Sequence, residues 1–344
     1  MLVKWFDNTF LFKKQSIQSD TDKKIKAVIL GLAVCYHSRF SDGIIRRKYR
    51  EEIKKCIWST MSYAITEEEI LDSILTEQKY ILNMMTELPA GTALNAALQE
   101  NVFMLLVCIL NKIPIFLVGK PGCSKSLSMQ LIRSNLRGKD STSHLFQEMP
   151  QLFCVSFQGS ESSTSDGIIK VFEKAEKYQK HNDERDVLSV VILDEIGLAE
   201  ISKFNPLKVL HGLIERHDEQ IKVAVVGISN WALDAAKMNR AIHLSRPDMD
   251  LGELIYTGKS ISNSMMPSKE NAIFDLESSL DDNFGVNLQP LTTQLLEGIA
   301  KAYHEYCLHD QKFPNFHGLR DFYSLIKYLG RKEAVYQNAD DEEI

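Results

Sequence analysis

The sequence predicts an α/β fold: an open, doubly wound parallel sheet of five strands, with a helical leader before it and a small helical unit after it. Three observations predict it. From Thr92 onward, helical stretches alternate with short β-branched apolar runs, which is the pattern of successive βαβ units. Before Thr92 turn signals are scarce and the texture is helical. After Pro247 the strand-like runs stop, and residues 250–335 read as helices separated by loops.

In chain order, residues 1–90 form the leader. Its aromatic start (Trp5, Phe6, Phe10, Phe12) can pack internally or dock on a neighbouring chain. Lys24 to Tyr36 is strongly apolar, and Arg46 to Trp58 is a charged amphipathic stretch expected as a solvated helix face, because Glu51 and Glu52 interrupt its basic residues. Residues 91–249 form the α/β core. Its strand candidates are Pro114–Val118, Leu152–Phe157, Ser189–Leu193, Val223–Ile228 and Ala241–Leu244, with helices near 125–136, 167–180, 203–217 and 231–239. Residues 250–335 form the helical lid, with breaks near Asn283–Gly285 and Phe313–His317, and residues 336–344 an acidic tail.

At 344 residues, and with roughly 150 residues per domain, about two or three domains are expected. Hydrophobic residues at 44% and charged residues at 25% fit a soluble globular chain. Forty basic against forty-six acidic side chains leave a net charge of −6, so no domain-wide positive field exists to collect a phosphodiester backbone, and nucleic acid is not an expected partner. The six cysteines (Cys35, Cys56, Cys108, Cys123, Cys154, Cys307) show neither a C-x-x-C pair nor zinc spacing; they predict reduced, mostly buried thiols and a cytoplasmic location. Asn111, Lys112 and Pro114 break the longest apolar run, so no membrane segment is expected, and Lys4, Asp7 and Asn8 interrupt the first residues too early for a secretory signal.

The chemistry begins at Gly119-Lys120-Pro121-Gly122-Cys123-Ser124-Lys125-Ser126, which follows an apolar strand candidate and precedes a helix that starts near Leu127. A phosphate loop needs that placement: backbone N–H groups wrap the phosphates, the helix offers its positive end, a lysine reaches the terminal phosphates and a hydroxyl ligates Mg²⁺. Lys125 and Ser126 take the last two roles. The match to G-x-x-x-x-G-K-[ST] departs at Ser124, where a side chain crowds the loop if the position needs positive φ. Val190–Leu193 then delivers Asp194 and Glu195 to the carboxyl end of a buried strand, the edge at which ligands of open α/β sheets sit. Asp194 is the expected magnesium ligand and Glu195 the residue that orients the attacking water. A third apolar strand ends at Ser229-Asn230, and Asn230 suits a sensing role toward the γ-phosphate or the water.

These elements, in this order, resemble the AAA+ ATPases, a family of P-loop NTPases. The runs VVILDEIGLAE, GISNWALDAAKMNRAIHLSRPD and GLRDFYSLIKYLG, together with GKPGCSKS, look like the AAA+ core of the mysterin-type giant E3 ubiquitin ligases, over about residues 10–335. The resemblance implies one AAA+ module without the RING/E3 region, binding ATP and Mg²⁺ and working beside neighbouring AAA+ units; ubiquitin machinery is implied by the family only. It further implies an arginine reaching the neighbouring unit's γ-phosphate, for which Arg240 is the first candidate and Arg246 the competitor, and a lid arginine reading the unit's own nucleotide, for which Arg320 fits. Two alternatives stay open: a structural ATP-binding module with little hydrolysis, and a DNA-directed AAA+ ATPase, which the acidic balance opposes.

Overall fold

The computed structural model describes residues 1–8, 19–89, 92–182, 186–215, 223–264, 293–309 and 318–340. Phe10, Phe12, His217, both expected lid breaks and the end of the acidic tail lie outside them. The chain divides into two compact units. Unit 1 holds Met1–Glu87, Gln99–Gly119 and Ser124–Asp248; unit 2 holds Leu88–Leu98, Lys120–Cys123 and Met249–Ile344.

Unit 1 opens with α1 (Leu2–Asn8), α2 (Asp20–Cys35), α3 (Gly43–Met61) and α4 (Glu67–Asn83). Each of the last three starts where a side chain satisfies the orphan amides of a first turn. Ser19 and Asp22 form a capping box, as do Thr66 and Glu69, and Asp42 accepts from Ile44 and Ile45 N–H. Their apolar stripes close over one core of Ile25, Ile29, Ala33, Ile53, Ile57, Ile70 and Ile74. The aromatic start packs internally at Phe6, which is fully buried and stacks on Phe103 of the apolar helix α5 (Ala96–Leu110).

The charged stretch of α3 is not simply a solvated face. Arg46 and Arg50 are buried, because distant acceptors complete their hydrogen bonding. Arg46 donates to Glu100 Oε1 (2.8 Å), Phe40 O (2.8 Å) and Ser245 O (2.9 Å), and Arg50 pairs with Glu67 and donates to His37 Nε2 (2.9 Å). Burial beside these two arginines pushes the His37 imidazole down to about 3, so it is neutral. The expectation of mostly buried thiols also fails: Cys108 is buried, but Cys56 and Cys307 are exposed and the other three half-buried.

The sheet contains β1 (Ile115–Val118), β2 (Gln151–Gln158), β3 (Val187–Asp194), β4 (Ala224–Ser229) and β5 (Ile242–Ser245), in the order β2-β3-β4-β1-β5 with every pairing parallel. The central strands are apolar on both faces, as parallel strands covered on both sides must be. Between them run α6 (Lys125–Asn135), α7 (His144–Gln147), α8 (Ser165–His181), α9 (Ile196–Glu200), α10 (Leu210–Ile214) and α11 (Ala235–Met238). Two expected helices are shorter than the sequence suggested. The stretch 203–217 contains a 3₁₀ turn at Pro206–Val209 followed by α10, because Pro206 starts a new element, and 231–239 contracts to the single turn of α11, capped by Asp234.

Unit 2 carries α12 (Leu251–Ser264), α13 (Thr293–His309) and α14 (Leu319–Asp340). Leu254, Ile261, Leu296, Ala300, Phe322 and Ile326 form its core. Among the described residues no helix is long and apolar enough to cross a membrane.

Candidate nucleotide site

Register places the site. Val118, the last residue of β1, pairs with Ser229 of β4, and Leu193 of β3 pairs with Gly227, so Asp194 follows at the same carboxyl edge. Lys125, Asp194, Glu195 and Asn230 thus leave three adjacent strands at one end of the sheet. The Phe116 ring occupies the space a side chain would need at its register partner Gly227: a Cβ there would sit 2.3 Å from the ring.

The loop leaves β1 through Gly119, whose N–H donates to Ser229 O (3.3 Å). Pro121 and exposed Lys120 lead into Gly122 at φ +93°, and Cys123 N–H closes the turn on Lys120 O (3.4 Å). Ser124 then lies at φ +57° directly before α6. The left-handed conformation is therefore required where the motif ordinarily has glycine, and Ser124 carries its Cβ there at a cost of about 1–2 kcal/mol. Lys125 is buried and its ammonium donates to Gly119 O (2.6 Å), so the lysine returns across the loop it follows. Ser126 is exposed on the first turn of α6, and Leu127 is half-buried behind it.

At the end of β3 the chain turns sharply: Glu195 lies at φ +47°, and its N–H donates to Asp194 Oδ1 (2.9 Å). Two residues that motif reading passed over fix this turn. Gln158, opposite Asp194 on β2, donates from Nε2 to Glu195 Oε2 (3.0 Å), and Gly159 N–H donates to Asp194 O (2.8 Å). A Cβ on Gly159 would stand 2.3 Å from Glu195 O. The signal available in the sequence was the glycine two residues beyond the second strand candidate, which register alone brings beside the two acids.

Asn230 is exposed just past β4, inside a turn in which Ser229 Oγ accepts from Trp231 N–H (3.3 Å) and donates to Trp231 O (2.5 Å). Arg240 pairs with Glu215 (2.8 Å) and donates to Ala236 O. Arg246 donates to Glu100 Oε2 (2.9 Å), the same buried carboxylate that Arg46 holds. The serine loop at 160–165 is bonded to itself and to the segment after β3, through Ser160 N–H to Ser163 Oγ (2.9 Å) and Ser202 Oγ to Ser163 O (2.9 Å). In unit 2, Arg320 is exposed in the first turn of α14, where Asp321 accepts from Gly318 N–H (2.9 Å).

The donor chemistry suits a hard divalent cation: a hydroxyl on Ser126 and a carboxylate on Asp194 are both oxygen ligands. No cluster of three or more His, Cys, Asp or Glu exists among the described residues, so such a cation would complete its shell with phosphate and water oxygens.

Residues 91–253 match the family described as the RNF213 AAA domain. Its core is an RNF213-type AAA domain. Human E3 ubiquitin-protein ligase RNF213 is 38% identical over 330 residues, covering 94% of this chain, and zebrafish E3 ubiquitin-protein ligase rnf213-beta is 37% identical over 313 residues, covering 89%. The chain spans 6% of the length of each of these ligases. The expected mysterin-type AAA+ core is thus borne out. Among solved structures, PCH-2 of C. elegans overlaps 77% of this chain and 69% of its own, with 14% identity and a TM-score of 0.37.

Proposed function

We propose that this RNF213-type module binds Mg·ATP, hydrolyses it and couples its nucleotide state to conformational change. One observation supports the reading above all: a loop lysine, an acidic pair and an asparagine leave three neighbouring parallel strands at one edge of the sheet. The amides of Gly119–Ser124 cradle the phosphates, and Lys125 neutralises their charge. Ser126 and Asp194 hold Mg²⁺, which when bound neutralises charge on the phosphate oxygens. Glu195 orients the water for in-line attack on the γ-phosphate, and Asn230 senses that phosphate. Arg320 reads the unit's own nucleotide.

Arg240 is the residue we assign to a neighbouring unit's nucleotide. Glu100 already engages Arg246 inside its own fold, whereas Arg240 is held by the exposed Glu215. Neighbouring AAA+ units are therefore the expected partners, and ubiquitin transfer belongs to the rest of the much longer ligases. The Gln158 hydrogen bond favours one second reading, a module that holds nucleotide and turns it over slowly, since an amide already occupies one oxygen of Glu195. Phosphate release by the chain and by Glu195→Gln decides between them: a rate at least about 100-fold higher in the parent chain supports hydrolysis, and equal rates reject it.

A further inference from the structure

The middle of the phosphate loop, Lys120–Cys123, groups with the lid helices of unit 2 and not with the strand it leaves. Two contacts explain this. Gly122 lies so close to the start of α14 that a Cβ there would stand 2.6 Å from Leu319 Cβ and 3.2 Å from Arg320 N. One turn further along α14, the Tyr323 hydroxyl donates to Gly122 O (3.2 Å). The helix making these contacts is itself firmly seated, because Phe322 and Ile326 are buried in the lid core and Asp321 caps the amide of Gly318.

The Gly122 carbonyl and the Cys123 N–H belong to one planar trans peptide and point in opposite directions. Holding the carbonyl therefore also orients the N–H. With glycine at φ +93°, this peptide has no Cβ on its first residue to resist rotation, and a flipped plane would turn a carbonyl oxygen, a poor neighbour for an anion, to where an amide donor belongs. We propose that Tyr323 is a positioning residue for phosphate binding: its hydroxyl fixes the Gly122–Cys123 peptide and so sets the turn whose amides meet the nucleotide. The proposal rests on the nucleotide reading above. It joins the middle of the loop to α14 within unit 2.

The test is Tyr323→Phe in the full 344-residue chain, read by amide hydrogen exchange without nucleotide and by calorimetric titration with ADP, with Lys125→Ala as the reference for a disabled loop. Phenylalanine keeps the ring and removes the hydroxyl, which reaches Met249 Sδ (3.9 Å) as well as Gly122 O (3.2 Å). Exchange at residues 120–124 is expected to rise and ADP affinity to fall, each by about three- to ten-fold, the worth of one lost hydrogen bond, while lid-core amides near Leu296 and Ile326 stay protected. Gly122→Ala, which pushes the same turn off Leu319 by sterics, is expected to act in the same direction and serves if Tyr323→Phe does not fold. Unchanged loop exchange overturns the proposal, and so does faster loop exchange with undiminished ADP affinity. Loop and lid core loosening together means that Tyr323 is merely structural, which also overturns it. If the parent chain and Lys125→Ala are equally silent to ADP, the nucleotide reading has failed and the positioning role goes with it, while the exchange data separately report whether the hydroxyl holds the turn.

Discussion

In the leader network, Arg46 and Arg246 share the buried carboxylate of Glu100, and Arg46 also donates to Phe40 O, Ser38 O and Ser245 O; at the carboxyl edge of the sheet, Glu195 has one amide donor and Asn230 stands exposed. Both regions concentrate polar groups on unit 1, yet only the first uses its charges up. Desolvated ions must be paired within the fold, since stranding one costs several kcal/mol, so the leader network is structural. The groups at the strand ends are those proposed to meet the nucleotide. The difference separates Arg240 from Arg246: Arg246 belongs to the structural network, whereas half-buried Arg240 pairs with the exposed Glu215.

The sharpest way to break this comparison is Glu100→Ala, which strands two guanidinium groups in one step. It is expected to destabilise the chain by about 3–5 kcal/mol in urea unfolding; a loss within the range of surface substitutions would return the leader network to the ordinary surface. Glu195→Gln tests the opposite region. Phosphate release should fall about 100-fold, or about 2.7 kcal/mol in barrier height, with the unfolding midpoint essentially unchanged.

The neutral imidazole of His37 makes the leader pH-sensitive. Its folded value, about 3, lies below the ordinary 6.5, so between these limits the unfolded chain binds the extra proton and stability falls as the pH falls. The slope approaches about 1.4 kcal/mol per pH unit in the middle of that window, and His37→Gln should flatten this part of the profile. A smaller effect of opposite sign is expected at the loop. Ser124→Gly relieves the φ +57° side chain and should stabilise the fold by about 1 kcal/mol. Smallest of all, Glu215→Gln removes the exposed partner of Arg240 and should change stability by less than about 0.5 kcal/mol, a null result that contrasts directly with Glu100→Ala.

Most of the sheet was legible along the chain. All five strand candidates overlap observed strands: the three inner ones are the near-continuous apolar runs of strands covered on both faces, and the edge strands β2 and β5 keep enough apolar residues to be read despite their polar interruptions. The demand for positive φ at Ser124 was also readable, since the glycine of the motif marks a backbone requirement. What misled was the charged face of α3: spacing and the interrupting Glu51 and Glu52 describe a solvated helix, but Arg46 finds its acceptors 54 and 199 positions away. Gln158 carries no motif, Tyr323 sits in the quoted run GLRDFYSLIKYLG with no role of its own there, and their partners lie 37 and 201 residues distant.

By itself, then, the order of residues determined the elements, their succession and the chemical types delivered to the carboxyl edge, because periodicity, capping and turn geometry act over a few neighbouring positions. Only the folded chain decided which polar groups are consumed by one another and which are left to meet a ligand. That choice depends on which remote segments packing brings within about 3 Å, the reach of a hydrogen bond, and no local pattern encodes it.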